Sequence, residues 1–141
     1  MFTKVHLSEG VDFRLRNLKA KTGLTPNLLC RIGFCFSLEQ PGVPDMGLYE
    51  GGQPREFNRY TLTGQWDPLF FALLRQRLIK DGLDPESNLE VQFKAHISRG
   101  VYLLSPRLKK PSDVARLVSE STAGRRADRE PGNTTTGASR E

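Results

Sequence analysis

The 141-residue sequence has few of the residues from which catalytic and metal sites are usually built. It contains two cysteines and two histidines, and it shows no Walker loop, no dinucleotide fingerprint, no HExxH and no CxxC motif. Neither His6 nor His96 lies in a local nucleophile or metal signature. We therefore expect a protein that is not an enzyme, with no catalytic residue, no metal and no cofactor.

Long hydrophobic runs are also missing. The longest, from Leu28 to Leu38, is interrupted by Arg31 and is shorter than the roughly 20 apolar residues that cross a bilayer. The residues after Met1 alternate between apolar and polar instead of forming the apolar core of a targeting signal. These features predict a soluble, cytoplasmic protein without a membrane contact.

The two cysteines lie in that apolar run, five residues apart. On a helix, Cys30 and Cys35 would point about 140° away from each other, beyond the geometry of a disulfide. We expect both to act as small apolar core residues. Cys30, beside Arg31, is the one candidate for a reactive thiol, because reactive thiols need an electropositive, exposed environment.

Positive charge is abundant but unevenly distributed. The net charge is +5 and the pI is near 9.5. Residues 1–31, the first basic block, hold six basic and two acidic side chains, and residues 94–118, the second basic block, hold six and one. Residues 32–93 are net acidic. Two concentrated blocks fit a phosphate backbone better than a scattered excess would.

The first forty residues predict a strand, a helix, a turn and a second helix. Alternation from Phe2 to Leu7 indicates a half-exposed strand, and the spacing of apolar residues indicates a helix from Gly10 to Thr22. Gly23 suits a left-handed helix end. Thr25-Pro26 then begins a second helix that runs to about Gln40.

The remaining sequence predicts further short helices. We expect a loop over 41–56, an extended segment over Phe57–Thr63, a helix from Asp67-Pro68 to near Gly82, a helix from Asp84-Pro85 closed by Gly100, an extended Val101–Leu104 and a helix at about 112–119. The third helix should bury Phe70, Leu73, Leu74 and Leu78, and the fourth should bury His96 as a hydrogen-bonded core histidine. Residues 1–118 would form one domain, and 119–141, which lack large apolar side chains, a disordered tail.

The second helix is apolar on almost every side. Such a helix must be covered on every side, so we favour a position at the centre of an oligomer, packed against its own copies. The alternative is a central helix wrapped by the later helices of the same chain. The predicted fold class is thus mainly α, with a ribbon–helix–helix-like start and an oligomeric core.

Several motifs in order are similar to those of a known family. The stretches are KTGLTPNLLCRI from Lys21 to Ile32, REFNRYTL from Arg55 to Leu62, the helix from Leu69 to Arg77, and HISRGV from His96 to Val101. They resemble the DndE family, the small subunit of DNA phosphorothioation systems, which replace a non-bridging phosphate oxygen of DNA with sulfur. The resemblance covers about residues 1–118.

The resemblance implies a partner set as well as a role. It implies a homotetramer that binds duplex DNA, with a preference for nicked DNA, and that works beside a cysteine desulfurase, a reductase-like sulfur-transfer subunit and an ATPase subunit. It implies no sulfur-transfer chemistry in this subunit. These implications agree with the missing catalytic motifs and the two basic blocks.

Charge and helix geometry supply the candidate DNA-binding residues. They are Lys4, Arg14, Arg16, Lys19, Lys21, Arg107, Lys109 and Lys110. Two other interpretations stay open. One is an adaptor that joins the other modification subunits without touching DNA. The other is a ribbon–helix–helix transcriptional regulator, for which the strand offers only Lys4 and His6 as outward base-reading residues, or Thr3 if the register of the strand is reversed.

Overall fold

The computed structural model describes residues 1–120. In chain order the elements are β1 (Lys4–Leu7), α1 (Glu9–Thr22), α2 (Pro26–Leu38), β2 (Arg55–Asn58), α3 (Arg59–Thr63), α4 (Asp67–Lys80), α5 (Leu89–Leu104) and α6 (112–120). This confirms the predicted fold class, mainly helical with a short N-terminal strand. The last helix extends through 119 and 120, and the rest of the predicted tail lies outside the described residues.

The turn between the first two helices lies at the residues that predicted it, whereas α1 begins at Glu9, one residue before the predicted start, and α2 ends at Leu38 and not at about Gln40. Ser8 accepts a hydrogen bond from the Val11 amide at the start of α1, and Gly23 closes it with a φ of 78°. Thr25 caps α2 in the same way, with Pro26 in its first turn. A glycine adopts the left-handed conformation without the steric cost of a Cβ, and a capping side chain satisfies backbone amides that the helix leaves free. Both features therefore determine helix ends locally.

The strand β1 pairs antiparallel with β2, so that Val5 lies opposite Phe57 and Leu7 opposite Arg55. Both strands of this pair belong to one chain. In a ribbon–helix–helix protein, by contrast, the strand pairs with the same strand of a partner subunit. The predicted extended segment Phe57–Thr63 is wrong beyond its first residues. The Asn58 side chain accepts hydrogen bonds from the Tyr60 and Thr61 amides and thereby starts α3.

The helix α5 corrects three predictions. It begins at Leu89, because the Asp84 carboxylate accepts from the amide and hydroxyl of Ser87 and holds that segment as a turn. It also continues through Gly100, and Val101–Leu104 is helical, not extended. A Cβ at Gly100 would lie 1.7 Å from the Gly33 carbonyl oxygen. The glycine therefore serves close packing against α2 and does not end the helix.

The core is centred on the contact between α2 and α5, with α1, α4 and β1 each packed against α5. Three phenylalanines, Phe34, Phe71 and Phe93, are at most 2% exposed, and their rings meet at centroid distances of 4.8 to 5.6 Å. On α4 the prediction that Leu73 is buried is wrong, because it is 36% exposed, and Phe71 takes its place. Within residues 1–120, no helix is long and apolar enough to cross a membrane.

One chain covers only part of α2. Leu29, Cys30, Gly33, Phe34 and Ser37 are buried, mainly against α5. Leu28 and Cys35 are exposed, and Ile32 and Phe36 are half-buried. The later helices therefore wrap one side of α2, as in the alternative interpretation, while the opposite side stays apolar and open.

Candidate nucleic-acid interface

The outward side of α1 carries the largest set of predicted site residues. Val11, Leu15 and Leu18 are at most 1% exposed and face the core. Because residues three and four apart share a helix face, this buried stripe turns Arg16, Lys19 and Lys21 to the solvent, where all three are exposed. We call the solvent-facing surface of α1 from Phe13 to Lys21 the α1 basic face. It includes both flanks of the buried stripe, because Lys19 and Lys21, two residues apart, point about 200° apart.

Arg16 is held by a buried carboxylate. Asp12, only 3% exposed, accepts hydrogen bonds from Arg16 on its own helix and from Arg55 on β2, the latter at 2.9 Å. Burial acts to raise the pKa of Asp12, but the hydrogen bonds from the two guanidinium groups outweigh it and leave the pKa below its usual range. Arg16 thus presents a fixed guanidinium whose charge is partly compensated.

Arg14 rests on an aromatic ring of α5. Its guanidinium carbon lies 3.7 Å from the centre of the Tyr102 ring, and its Nη1 donates to the Gly10 carbonyl at 3.1 Å. Tyr49 meets the same ring edge-on at 4.9 Å. Stacking and the carbonyl bond leave the guanidinium oriented before any ligand arrives.

Lys4 lies on the exposed side of the small sheet. Its amino group is 3.6 Å from a carboxylate oxygen of Glu56, and His6 contacts the other oxygen of that carboxylate at 3.3 Å. All three side chains are at least half exposed, so solvent screens these pairs strongly. Lys4 is therefore available to a phosphate, although Glu56 competes for it.

Three predicted lysines, Lys19, Lys21 and Lys109, have no intramolecular partner for their amino groups within residues 1–120, whereas the charge of Lys110 acts on the Asp113 carboxylate. Lys19 and Lys21 end α1, and Lys109 and Lys110 lie in the turn before α6, where their backbone amides bind the Asp113 carboxylate. The backbone amide of Lys109 is the main cause that lowers the pKa of Asp113. Arg107 differs from these lysines, since its guanidinium lies 5.2 Å from the centre of the Phe36 ring.

Sequence reasoning missed that several arginines are structural. Arg31 and Arg99, counted in the two basic blocks, donate to backbone carbonyls: Arg31 to Leu62 at 2.6 Å, and Arg99 to Ser37 at 2.8 Å. Arg77, 8% exposed, donates to the carbonyls of Leu38, Gln40 and Gly42 and to Asp81. A charge count cannot separate such arginines from surface ones, because the carbonyls that accept from them lie 30 or more residues away in the sequence.

His96 is a core histidine, as predicted. It is fully buried, and its Nδ1 lies 2.8 Å from the Ser37 hydroxyl, which also accepts from Arg99. Burial, followed by the charges of Arg99 and Arg77, lowers the pKa of His96 to about 3. The ring is therefore neutral at physiological pH and contributes no charge to a DNA site.

The cysteines differ from each other. Cys30 is 1% exposed, and burial raises its pKa to about 12, so it is the predicted core residue and not a reactive thiol. Cys35 is exposed, contrary to the prediction of a core position. Its thiol is still partly shielded from water by its neighbours, and this partial desolvation, followed by the charge of Glu39, raises its pKa. Both are free thiols. Within residues 1–120, no group of three or more His, Cys, Asp or Glu side chains could hold a metal ion.

An apolar groove of about 510 Å³ lies along the open side of α2. Its floor consists of Ile32, Cys35 and Phe36, and Leu117 and Val118 of α6 form one wall. Four charged residues also line it: Arg31, Glu39, Arg107 and Glu120. The predicted site residues thus lie on the α1 basic face, on the small sheet at Lys4 and in a basic turn at 107–110, and the apolar groove lies beside that turn.

The chain is similar to known proteins in both sequence and fold. The family model described as "DNA sulphur modification protein DndE" matches residues 4–112. A crystal structure of DndE from Escherichia coli B7A, involved in DNA phosphorothioation modification, is similar with a TM-score of 0.59 and 22% identity, over 74% of this chain and 97% of that one. A DndE mutant with glycines replaced by lysine gives 0.56 and 21%, with the same coverage. A comparison with curated proteins found no match.

Proposed function

Because the chain belongs to the DndE family of DNA sulphur modification proteins, we propose that it is the non-catalytic DNA-binding subunit of the phosphorothioation machinery. The observation that carries this proposal is the α1 basic face. There Lys19 and Lys21 end the helix in solvent, with no intramolecular partner among residues 1–120 for their amino groups. Unpaired lysines on a rigid helix are ready counter-charges for a phosphate backbone.

The contacts go to the backbone and not to base edges of the duplex. Lysine amino groups are point charges that bind phosphate without reading sequence, and Arg14, held on Tyr102, adds a pre-oriented fork for a phosphate oxygen. Such binding has little sequence preference and a steep salt dependence, with about −0.9 in the log–log slope for each phosphate neutralised. Lys109 and Lys110 provide a second cationic edge.

The subunit acts as a homo-oligomer in this proposal. The open side of α2 exposes Leu28 and Cys35 and half-exposes Ile32 and Phe36, and it continues into the apolar groove against α6. An apolar helix side of this kind is stable when another apolar surface covers it. A second copy provides that cover, and the tetramer repeats the α1 basic face on one assembly.

The chemistry of sulfur transfer belongs to the other subunits in this proposal. Cys30 is held as a thiol by burial, with a pKa raised to about 12, and His96 is neutral in the core. Neither group reaches solvent, where a substrate would meet it. The subunit therefore supplies DNA to partners of the same machinery, among them the desulfurase, the reductase-like subunit and the ATPase.

An adaptor role is a second candidate, which one observation favours. Trp66, Leu69 and Leu73, at the start of α4 and along one side of it, are 50%, 52% and 36% exposed. Spaced by three and four residues, they share a helix side, and exposed apolar surfaces of this kind mark protein contacts. The adaptor would bind its partners there and leave DNA untouched.

Electrophoretic mobility shift separates the two functions. The purified chain is titrated onto intact, nicked and random duplexes at two salt concentrations. Three variants are compared with it: Lys19→Glu, the double variant Lys19→Glu/Lys21→Glu, and Lys80→Glu. The last is a control, with the same charge change at the exposed end of α4. The proposal expects the shift to weaken at high salt and to vanish in the double variant while Lys80→Glu binds normally. Salt-independent binding, or equal losses in Lys19→Glu and Lys80→Glu, would contradict it.

A further inference from the structure

The buried carboxylate of Asp12 joins two arginines that come from different elements. The Asp12 side chain is 4% exposed, whereas the side chains of Arg16 on α1 and Arg55 on β2 are 69% and 48% exposed. Oδ2 of Asp12 accepts from Nε and Nη2 of Arg16, and Oδ1 accepts from Nη1 of Arg55. Because both guanidinium groups bind one small carboxylate, they lie side by side at the surface. We call Arg16 and Arg55 the arginine pair.

Each guanidinium of the arginine pair keeps donors that Asp12 does not occupy. A guanidinium carries five N–H donors in a planar fork. Within residues 1–120, Nη1 of Arg16 and both Nε and Nη2 of Arg55 donate to no protein acceptor. The Phe57 ring, whose centre lies 4.9 Å from the guanidinium carbon of Arg55, supports that side chain. The arginine pair therefore presents held guanidinium groups with free donors, which suit a ligand with several acceptor oxygens.

The charge around the arginine pair favours an anion. Lys19 follows Arg16 by three residues and lies on the same side of α1. Glu9 acts on Arg16 through its charge, as the smallest of the causes that raise the pKa of Arg16, and no hydrogen bond joins the two side chains. The arginine pair and Lys19 outnumber the carboxylates of Asp12 and Glu9. This flank of α1 therefore keeps a positive charge, although Asp12 compensates part of it.

A phosphate backbone meets these requirements better than a single carboxylate does. The two non-bridging oxygens of a phosphodiester group match the fork of a guanidinium. The backbone also repeats this group, so a neighbouring phosphate can meet Lys19, about 4.5 Å further along the helix axis than Arg16. A carboxylate of a protein partner would satisfy the arginine pair alone.

We propose that Arg16 and Arg55 together bind one phosphodiester group of the DNA backbone, and that Asp12 is the positioning residue that holds both guanidinium groups for it. This inference rests on the proposed function and deepens it. It adds Arg55, which lies outside the two basic blocks of the sequence, to the DNA contacts. It also gives an acidic residue a favourable role in binding a polyanion.

The test measures DNA affinity and its salt dependence for Arg55→Gln, Arg55→Lys and Asp12→Asn beside the unmodified full chain. Arg75→Gln is the matched control, because Arg75 is also paired with one carboxylate, that of Glu86. Fluorescence anisotropy with one labelled intact duplex at several salt concentrations gives the dissociation constants and the log–log slope. Urea unfolding of each variant shows whether it is folded under the binding conditions.

Arg55→Gln should weaken binding about eightfold at about 0.1 M salt and reduce the magnitude of the slope by about 0.9, the value for one phosphate contact. Arg55→Lys keeps the charge and should retain the slope, and Arg75→Gln should bind like the unmodified chain. Asp12→Asn separates positioning from net charge. It makes the chain more positive, so a role of charge alone predicts tighter binding, whereas loss of positioning predicts weaker binding.

Three results would overturn the inference: an unchanged affinity and slope in Arg55→Gln, an equal loss in Arg75→Gln, or equal or tighter binding by folded Asp12→Asn. If Asp12→Asn does not fold, the Arg55 variants decide alone. Loss of binding in Lys19→Glu/Lys21→Glu beside unchanged binding in Arg55→Gln leaves the proposed function standing without this inference. If the unmodified chain binds no DNA, the proposed function fails, and this inference with it.

Discussion

Gly33 of α2 and Gly100 of α5 bring two helix backbones into direct contact. A Cβ at Gly100 would lie 1.7 Å from the Gly33 oxygen, whereas a Cβ at Gly33 would lie 3.1 Å from the nearest atom, the Val101 amide nitrogen. The two glycines are therefore unequal. At Gly100 of α5 there is no room for a side-chain atom, whereas at Gly33 of α2 a methyl group would be tight but could be accommodated.

We expect Gly100→Ala to destabilise the fold by about 3 kcal/mol or more, because the added methyl group must push two helix backbones apart. Gly33→Ala should cost about 1 kcal/mol, since a shift of a few tenths of an ångström accommodates it. Unfolding in urea gives the free energy of unfolding of both variants, with Gln76→Ala at an exposed position of α4 as the control. Equal losses at the two glycines would contradict the unequal spacing on the two sides of this contact.

A buried ion pair joins α3 to α4. Arg59, 5% exposed, donates to both oxygens of Asp67 at 3.1 and 2.7 Å and to the Phe2 carbonyl at 2.8 Å. Removing one partner leaves an uncompensated buried charge, so Asp67→Ala should lower the free energy of unfolding by about 3 kcal/mol.

The exposed pair of Arg75 with Glu86 provides the control for that experiment. Their side chains are 36% and 75% exposed, and Glu86→Ala should cost less than about 1 kcal/mol. Thermal unfolding of Asp67→Ala and Glu86→Ala in the same buffer distinguishes them. A cost of Asp67→Ala as small as that of Glu86→Ala would show that the pair between Arg59 and Asp67 is solvated.

Acid should destabilise the fold through His96. Its folded pKa is about 3, below the value of about 6.5 in an unfolded chain, so only the unfolded state takes up a proton as the pH falls from 6.5 towards 3. The stabilisation is complete above pH 6.5 and is lost below it, by about 2 kcal/mol at pH 5.

Replacing each histidine separately tests this assignment. In His96→Gln, the fall in unfolding free energy between pH 7.5 and pH 5 should shrink by about that amount. His6→Gln alters a half-exposed ring and should retain the full fall. An identical pH profile in both variants would assign the effect to carboxylates instead.

The thiols should react in different states of the protein. In Cys35→Ser only Cys30 remains, and at 1% exposure with a pKa of about 12 it is neither reachable nor ionised near neutral pH. A chromogenic disulfide reagent should find no reactive thiol in the native variant and one per chain in denaturant. Rapid reaction of the native variant would place Cys30 at a surface.

Local signals predicted the fold where they had no tertiary competitor. Gly23 and Thr25-Pro26 determined the turn between α1 and α2 from the sequence, since their effect is confined to the adjacent backbone. Gly100 is also a glycine after a helical pattern, and there the predicted helix end was wrong. The glycine is needed for close packing against Gly33, and the helix continues past it. No local rule separates the two uses.

The candidate site shows the same division. Alternation and helical spacing placed Lys19 and Lys21 in solvent correctly, because the buried stripe of α1 fixes its opposite side. Arg31 and Arg99 look equally basic in sequence, yet each donates to carbonyls that the fold brings from distant segments. The number of charged residues can be counted from the sequence, but whether a given guanidinium faces solvent or a backbone carbonyl depends on the fold.

The turn between residues 38 and 42 lies at the surface, but two guanidinium groups from the interior fasten it. Arg77 and Arg99 both donate to the Gly42 carbonyl, at 2.6 and 3.0 Å, and each holds further carbonyls of the same segment. Adding or deleting one residue there would move every one of those acceptors out of register. This short connection is therefore intolerant of a change in length, and a reporter peptide or cleavage site inserted between Leu38 and Gly42 would also displace both arginines from their acceptors.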